Sequence, residues 1–127
     1  RLAAVVTGSP IALLSLLTAT RQWFKARVGL DASETPRAWA FCSHAVLGDG
    51  PFLVEDAAND PRFRDNPLVE GEPRIRFYAG VPLRDRHGIA LGTLCVIDKE
   101  PRRLRGVELR ALEDLAAIAT AELRAAR

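Results

Sequence analysis

The stretch Pro10-Ile-Ala-Leu-Leu-Ser-Leu-Leu-Thr18 is apolar at odd and even positions alike. Side chains of a strand point alternately to opposite faces, so a strand of this composition needs cover on both sides. It therefore reads as a central strand of a sheet that carries a layer on each face. The longest apolar stretch, Ile11 to Leu17, falls far short of the roughly 20 residues a membrane span needs. The chain that follows is different: in Gln22 to Val28, Phe24, Ala26 and Val28 alternate with Trp23, Lys25 and Arg27. This is the pattern of a strand with one wet face, ended by Gly29.

The remaining elements follow from the same periodicities. Arg1 to Val6 reads as the end of a helix. Thr35-Pro36 disfavours helix before it and permits one after it, so Ala38 to Leu47 is expected to be helical, stopped by Gly48-Asp49-Gly50-Pro51. Phe52 to Val54 reads as a short strand. Asp56 to Pro73, dense in turn formers, is expected to form helical turns and a mobile surface loop. Ile75 to Leu83 and Ile89 to Ile97 are apolar runs joined by Arg84-Asp85-Arg86-His87-Gly88 and should pair as an antiparallel hairpin. From Leu104 the pattern is helical, with Leu109, Leu112, Ala116, Ala119, Leu123 and Ala126 spaced alternately by three and four. Helices and strands do not alternate regularly, which points to an α+β fold with helices packed on a sheet.

Composition excludes several classes. With 127 residues, 48% apolar and 27% charged, the chain has the balance and length of one globular domain. Eighteen basic residues are interspersed with sixteen acids, giving a net charge of +2 and no basic stripe for a phosphate backbone, so nucleic acid is not the expected partner. Two cysteines, Cys42 and Cys95, fit free thiols in a reducing cytosol better than a disulfide framework. A start inside a helix, without Met, leads us to expect a piece of a longer, multidomain protein.

Three stretches taken in order carry a resemblance. Arg21-Gln-Trp-Phe-Lys, then Phe41-Cys-Ser-His-Ala with Val54-Glu-Asp-Ala-Ala-Asn-Asp-Pro-Arg-Phe63, then Phe77-Tyr-Ala-Gly-Val-Pro-Leu83 with Leu91-Gly-Thr-Leu-Cys-Val-Ile-Asp98 resemble GAF domains of bacterial histidine kinases and diguanylate cyclases. The similarity spans nearly the whole chain, residues 1–127 being read as a single GAF domain. It implies a central antiparallel sheet of five to six strands flanked by helices, with helices on one side, a ligand cavity roofed by loops on the other, and cytosolic signalling. The turn Thr18-Ala19-Thr20 departs from the pattern, since relatives usually carry an acidic residue there.

Candidate chemistry is sparse. Cys42 and Cys95 are the available nucleophiles, and some GAF proteins reduce free methionine sulfoxide with cysteines; both lie in apolar runs, where a thiol is ordinarily inert. One cysteine and His44, two residues apart on a helix, cannot jointly hold a metal. Asp56, Asp60 and Asp65 each precede a turn or helix start and are expected to cap backbone N–H groups. Trp39, Phe41, Phe63, Phe77 and Tyr78 are the expected cavity walls, Cys42 lies among them, and Arg74 and Arg76 could hold an anionic group of a ligand.

The sequence thus predicts a cytoplasmic sensory module that binds an unidentified small molecule, dimerises through its terminal helices, or does both, to control a histidine kinase or diguanylate cyclase output. The ligand site falls at Trp39, Phe41, Cys42, Phe63, Arg74, Arg76 and Tyr78, with no catalytic or metal residues. The alternatives are an enzyme like the methionine sulfoxide reductases and a ligand-free dimerisation spacer. In the terminal helix, Leu115 and Ile118 are expected to face the sheet and the rest of the stripe a second subunit. A charge at Leu112 would then split the dimer and spare the fold.

Overall fold

The computed structural model describes residues 2–17, 21–29, 34–36, 41–46, 48, 50–71 and 74–125. Six strands form one antiparallel sheet: β1 (Ile11–Leu17), β2 (Arg21–Val28), β3 (Glu34–Pro36), β4 (Phe52–Val54), β5 (Phe77–Arg84) and β6 (Ala90–Asp98), in the order β3-β2-β1-β6-β5-β4. The helices are α1 (Leu2–Thr7), α2 (Cys42–Ala45), α3 (Pro67–Glu70) and the long α4 (Gly106–Ala125), with a 3-10 turn at Ala57–Asn59. This is the α+β architecture expected from the sequence.

The strand that demands cover on both faces sits third in the sheet, between β2 and β6. Ala12 turns to one side, where Ala3, Phe77, Ala79, Val96 and Leu112 form a core beneath α1 and α4. Ile11 and Leu13 turn to the other, joining Phe41, Val54, Phe63, Tyr78, Cys95 and Ile97. The sheet is thus the middle layer between two separate cores. Register follows from the alternation: Tyr78 lies opposite Ile97 and Ala79 opposite Val96, so each pair stays on its own face.

The β5–β6 connection is a turn built by one carboxylate. Asp85 Oδ1 accepts from the amides of His87 (2.8 Å) and Ile89 (3.0 Å), and Gly88 takes the left-handed φ of 81° that the turn requires. At the opposite end, the guanidinium of Arg102 donates to the carbonyls of Thr7 and Gly8 at the end of α1, lies 3.3 Å from Asp98 Oδ2 and stands 5.5 Å from the Phe77 ring. It satisfies carbonyls that the end of α1 leaves unbonded and fastens that helix to the segment leading into α4.

Two readings need correction, and one strand was not foreseen. The terminal helix does not turn Leu112 and Ala116 toward a partner: both are buried on the sheet, at 0% and 3% exposure, with Leu115 packed beside them, whereas Ile118 is 61% exposed. Phe77, Ala79 and Val96 need an apolar lid, and a three-four stripe supplies one as readily as it supplies a dimer seam. The segment from Asp56 to Pro73 is not merely surface loop, because Ala57, Phe63 and Val69 insert into the core. Glu34–Pro36, which carries no strand signal, pairs with β2 at the sheet edge. Of the helix expected over 38–47, the described part is α2, with residues 37–40 and 47 outside the described residues.

Leu112 therefore tests the helix-to-sheet packing. Leu112→Ala should lower the unfolding free energy by about 2–5 kcal/mol in urea titrations, and Leu112→Asp should abolish the cooperative transition. A folded, monomeric Leu112→Asp protein would return this residue to an interface.

Candidate functional site

On the face away from α1 and α4, aromatic rings converge from four places in the chain. Phe41, just before α2, stacks on Phe63 with centroids 4.2 Å apart and planes 8° from parallel, and lies 5.2 Å from Tyr78. Phe52 of β4 approaches Phe63 (6.0 Å) and Tyr78 (6.2 Å). His44 of α2 presents an edge to Phe63 at 4.8 Å. Such stacked and edge contacts add about 0.5–1.5 kcal/mol per pair beyond area burial. Phe63 can reach this cluster because the Asp56 side chain caps the 3-10 turn through the Ala58 amide (3.2 Å), and the Ala57 amide donates to the Arg76 carbonyl (2.6 Å).

Arg62 closes the cluster from outside. Its guanidinium lies 5.0 Å from the Phe52 ring and 5.3 Å from that of Phe63, and it donates to both carboxylate oxygens of Asp60, at 3.0 and 2.7 Å. These hydrogen bonds hold the Asp60 carboxyl below its ordinary value. Beside it, an open groove of about 680 Å³ runs along Leu53, Glu55, Asn59 and Pro61.

Beneath the rings, the sheet carries polar atoms in an otherwise apolar floor. Ser15 of β1 faces Thr93 of β6 across the ladder, and both are fully buried. Tyr78 reaches them by lying along the sheet over Gly80, where an added Cβ would run into its phenol ring, and its hydroxyl stops 3.5 Å from Thr93 Oγ1. Ser15 Oγ has no nitrogen or oxygen partner among the described residues. The Cys95 thiol lies in the same group. Burial pushes its pKa from an ordinary 9.0 up to about 12, against the smaller opposing effect of the Tyr78, Thr93 and Ser15 hydroxyls beside it.

Of the residues singled out from the sequence, Phe41, Phe63 and Tyr78 come together in this cluster, at 3%, 1% and 2% exposure, whereas Phe77, next to Tyr78 on β5, points to the opposite face and belongs to the core under α1 and α4. Arg76 donates Nη1 to the carbonyls of Val69 and Ile75, both at 3.0 Å, and so ties α3 to the start of β5. Arg74 is exposed, with a left-handed φ of 58°. Cys42 opens α2, but its side chain, like the whole of Trp39, lies outside the described residues. Sequence reasoning missed Ser15, Thr93 and Phe52. A lone serine inside an apolar strand was the available signal for the first, but its pairing with Thr93 depends on register. Among the described residues, no group of three or more His, Cys, Asp or Glu could hold a metal ion, and no helix is long and apolar enough to cross a membrane.

The GAF domain family model matches residues 1–123, and the chain belongs to that family. A cyclic di-GMP phosphodiesterase of Pseudomonas aeruginosa is 63% identical over 94 residues, which make up 74% of this chain and 16% of that protein. Among solved structures, the free methionine-R-sulfoxide reductase of Neisseria meningitidis in complex with its substrate superposes with a TM-score of 0.71 at 20% identity, covering 94% of this chain and 72% of the other. The blue-light absorbing form of the PixJ GAF domain of Thermosynechococcus elongatus gives 0.73 at 15% identity, covering 96% and 78%. At these identities the two structural likenesses establish the fold alone.

A nucleophilic thiol must ionise and be reached, and Cys95 meets neither condition. In a Cys42→Ser protein, Cys95 should stay unmodified by an aromatic disulfide reagent at pH 8 and react only on denaturation; rapid native labelling would overturn this assignment. Between pH 9.0 and about 12 the unfolded chain releases a proton that the folded chain retains. The contribution of this thiol to stability is therefore whole below that window and falls as pH rises through it.

Proposed function

We infer that this GAF domain is a cytoplasmic sensory module of a signalling protein, binding a small molecule over the aromatic and hydroxyl-bearing face of its sheet and passing the state on through α1 and α4. The observation that carries this reading is the asymmetry of the two faces. One is an apolar core under the terminal helices, where the buried Thr7 hydroxyl at the end of α1 is bonded to the Ala3 carbonyl and to Ser9; the other has Ser15, Thr93 and Tyr78 hydroxyls under stacked rings. Among the described residues the Ser15 hydroxyl has beside it only the Cys95 thiol, a weak hydrogen-bonding group, so a ligand oxygen or nitrogen would offer it a stronger partner. Phe41, Phe63 and Tyr78 would contact its apolar part, with Trp39 and Cys42 as further candidates, and Arg74 and Arg76 at the margin for an anionic group.

The output favoured is cyclic di-GMP turnover. The 63% identical relative is named a cyclic di-GMP phosphodiesterase, and this chain spans only 16% of its length. The reaction would therefore belong to another domain, and a phosphodiesterase replaces the histidine kinase as the favoured output, with a diguanylate cyclase next. A ligand-free spacer is the second reading, supported by the 4.2 Å contact of Phe41 with Phe63, which fills space with the protein's own side chains. The enzyme alternative loses one of its two thiols to burial at Cys95.

Dimerisation needs a seam other than the buried stripe. Val107 and Ile118, eleven residues and thus about three turns apart, share a side of α4 and are 57% and 61% exposed; Leu2 and Val5 of α1 are 63% and 70% exposed. Ile118→Arg should turn a dimer into a monomer in light scattering and leave the melting temperature unchanged. A protein whose mass in solution is the same with and without the substitution would remove α4 from the interface.

Native and denaturing mass spectra of the purified domain test the sensory reading directly. A small mass present only under native conditions is expected, and its loss in Phe41→Ala would place it at the aromatic cluster. A bare polypeptide in both spectra, after expression in the source cytoplasm, would favour the spacer.

A further inference from the structure

Arg84, the last residue of β5, makes contacts in two directions. Its guanidinium leaves the sheet on the side of the aromatic cluster, where Nη2 donates to the carbonyls of Val46 (3.0 Å) and Gly48 (2.7 Å), the chain just past α2. Nη1 donates back to the Gly88 carbonyl in its own hairpin (3.2 Å). Its carbonyl serves the other face. Arg124, in the last turn of α4, donates Nε (3.2 Å) and Nη2 (3.1 Å) to the Arg84 carbonyl, and Nη2 also to that of Asp85 (3.1 Å). The ladder between β5 and β6 is irregular at just this point, between Leu83 and Arg84, so the backbone here is held less by the sheet than elsewhere in the strand.

The geometry points to Arg84 as a positioning residue that couples α2, over the aromatic cluster, to the last turn of α4. Hydrogen bonds from a charged donor are the stronger class, and both partly buried guanidiniums end on main-chain carbonyls, those of Val46 and Gly48 in the chain directly following α2 and those of Arg84 and Asp85 at the end of β5. A displacement of α2 therefore pulls on the Arg84 side chain, tilts its peptide group at the irregular register position and weakens the seat of Arg124. As a signal, this coupling rests on the sensory reading above; as a mechanical link it does not need a ligand.

Coupling between two sites is reciprocal, and hydrogen exchange on the unliganded domain can test both directions. Arg84→Gln should speed exchange of the last-turn amides of α4 about tenfold, and Arg124→Gln should do the same at the His44 and Ala45 amides, which bond the Phe41 carbonyl. Arg84→Lys, keeping the charge but not the forked donors, should fall between. Amides around Leu112 should keep their rates, which excludes global unfolding as the cause. If each substitution alters only the element its own side chain touches, the coupling is overturned. A bare polypeptide in the mass spectra would remove the ligand while leaving this reciprocity intact, so the two failures are distinguishable.

Discussion

A strand that is apolar on both sides cannot sit at a surface, and the rest of the molecule is arranged around that requirement. With β1 between β2 and β6, Ala12 needs cover on one face and Ile11 and Leu13 on the other. Burying a leucine or phenylalanine side chain contributes about 1.5–3 kcal/mol, so leaving either face bare would forfeit several such contributions. The two layers meet the requirement with different materials. Toward α1 and α4 the contacts include Ala3, Ala12, Ala79 and Ala116, which let helix backbones come close to the sheet. Toward α2 and the 3-10 turn the contacts are instead large rings, Phe41, Phe63 and Tyr78, with the Ser15 and Thr93 hydroxyls beneath them.

Those polar atoms run against the rest of the core. Ser15 and Thr93 are fully buried in strands whose neighbours are leucine, valine, isoleucine and cysteine. Their hydroxyls gain nothing from burial itself and must find partners to avoid a penalty. Tyr78 reaches toward Thr93 only because residue 80 is glycine, so three positions on two strands are matched to one arrangement. The same low-polarity surroundings that make these hydroxyls demanding also suppress ionisation of Cys95, so the floor supplies neutral hydrogen-bonding groups and no charge. Fixed charge is kept to the rim, where Arg62 and Asp60 neutralise each other against the outer rings.

Much of this was legible because periodicity reports burial. The two-sided run at Ile11–Leu17, the alternation of Gln22–Val28, the paired runs around Gly88 and the long terminal stripe each became the element their period implies. What periodicity does not report is the identity of the covering surface. The stripe through Leu112 and Ala116 stated that one side of α4 is apolar, and that is equally true of a helix on a sheet and a helix on its twin. Glu34–Pro36 was illegible for a related reason: an edge strand of three residues with a single neighbour carries no burial pattern. At the site, Phe41, Phe63 and Tyr78 could be named as rings but not brought to one place, because their meeting depends on how the 3-10 turn folds Phe63 inward. The pairing of Ser15 with Thr93, separated by most of the chain, exists only once the β1–β6 register is set.

A sheet filled on both faces separates what lies on them, and the separation has a mechanical consequence. Its central strands are held by hydrogen bonds on two sides and packed side chains on the other two, so a small movement over the aromatic cluster is opposed before it crosses to α1 or α4. The ends of the strands are less constrained, and there the two faces are joined by arginines. Arg102 gathers Thr7, Gly8 and Asp98 at one end, while its own amide donates to the Glu55 carbonyl at the close of β4 (3.1 Å). Arg84 and Arg124 meet at the other. Arginine suits such a junction because its forked donors can satisfy several main-chain carbonyls at once, and its charge persists at any pH at which the domain folds. The links between the two faces thus lie at the ends of the sheet, where Arg102 fastens α1 at one end and Arg84 with Arg124 fastens α4 at the other.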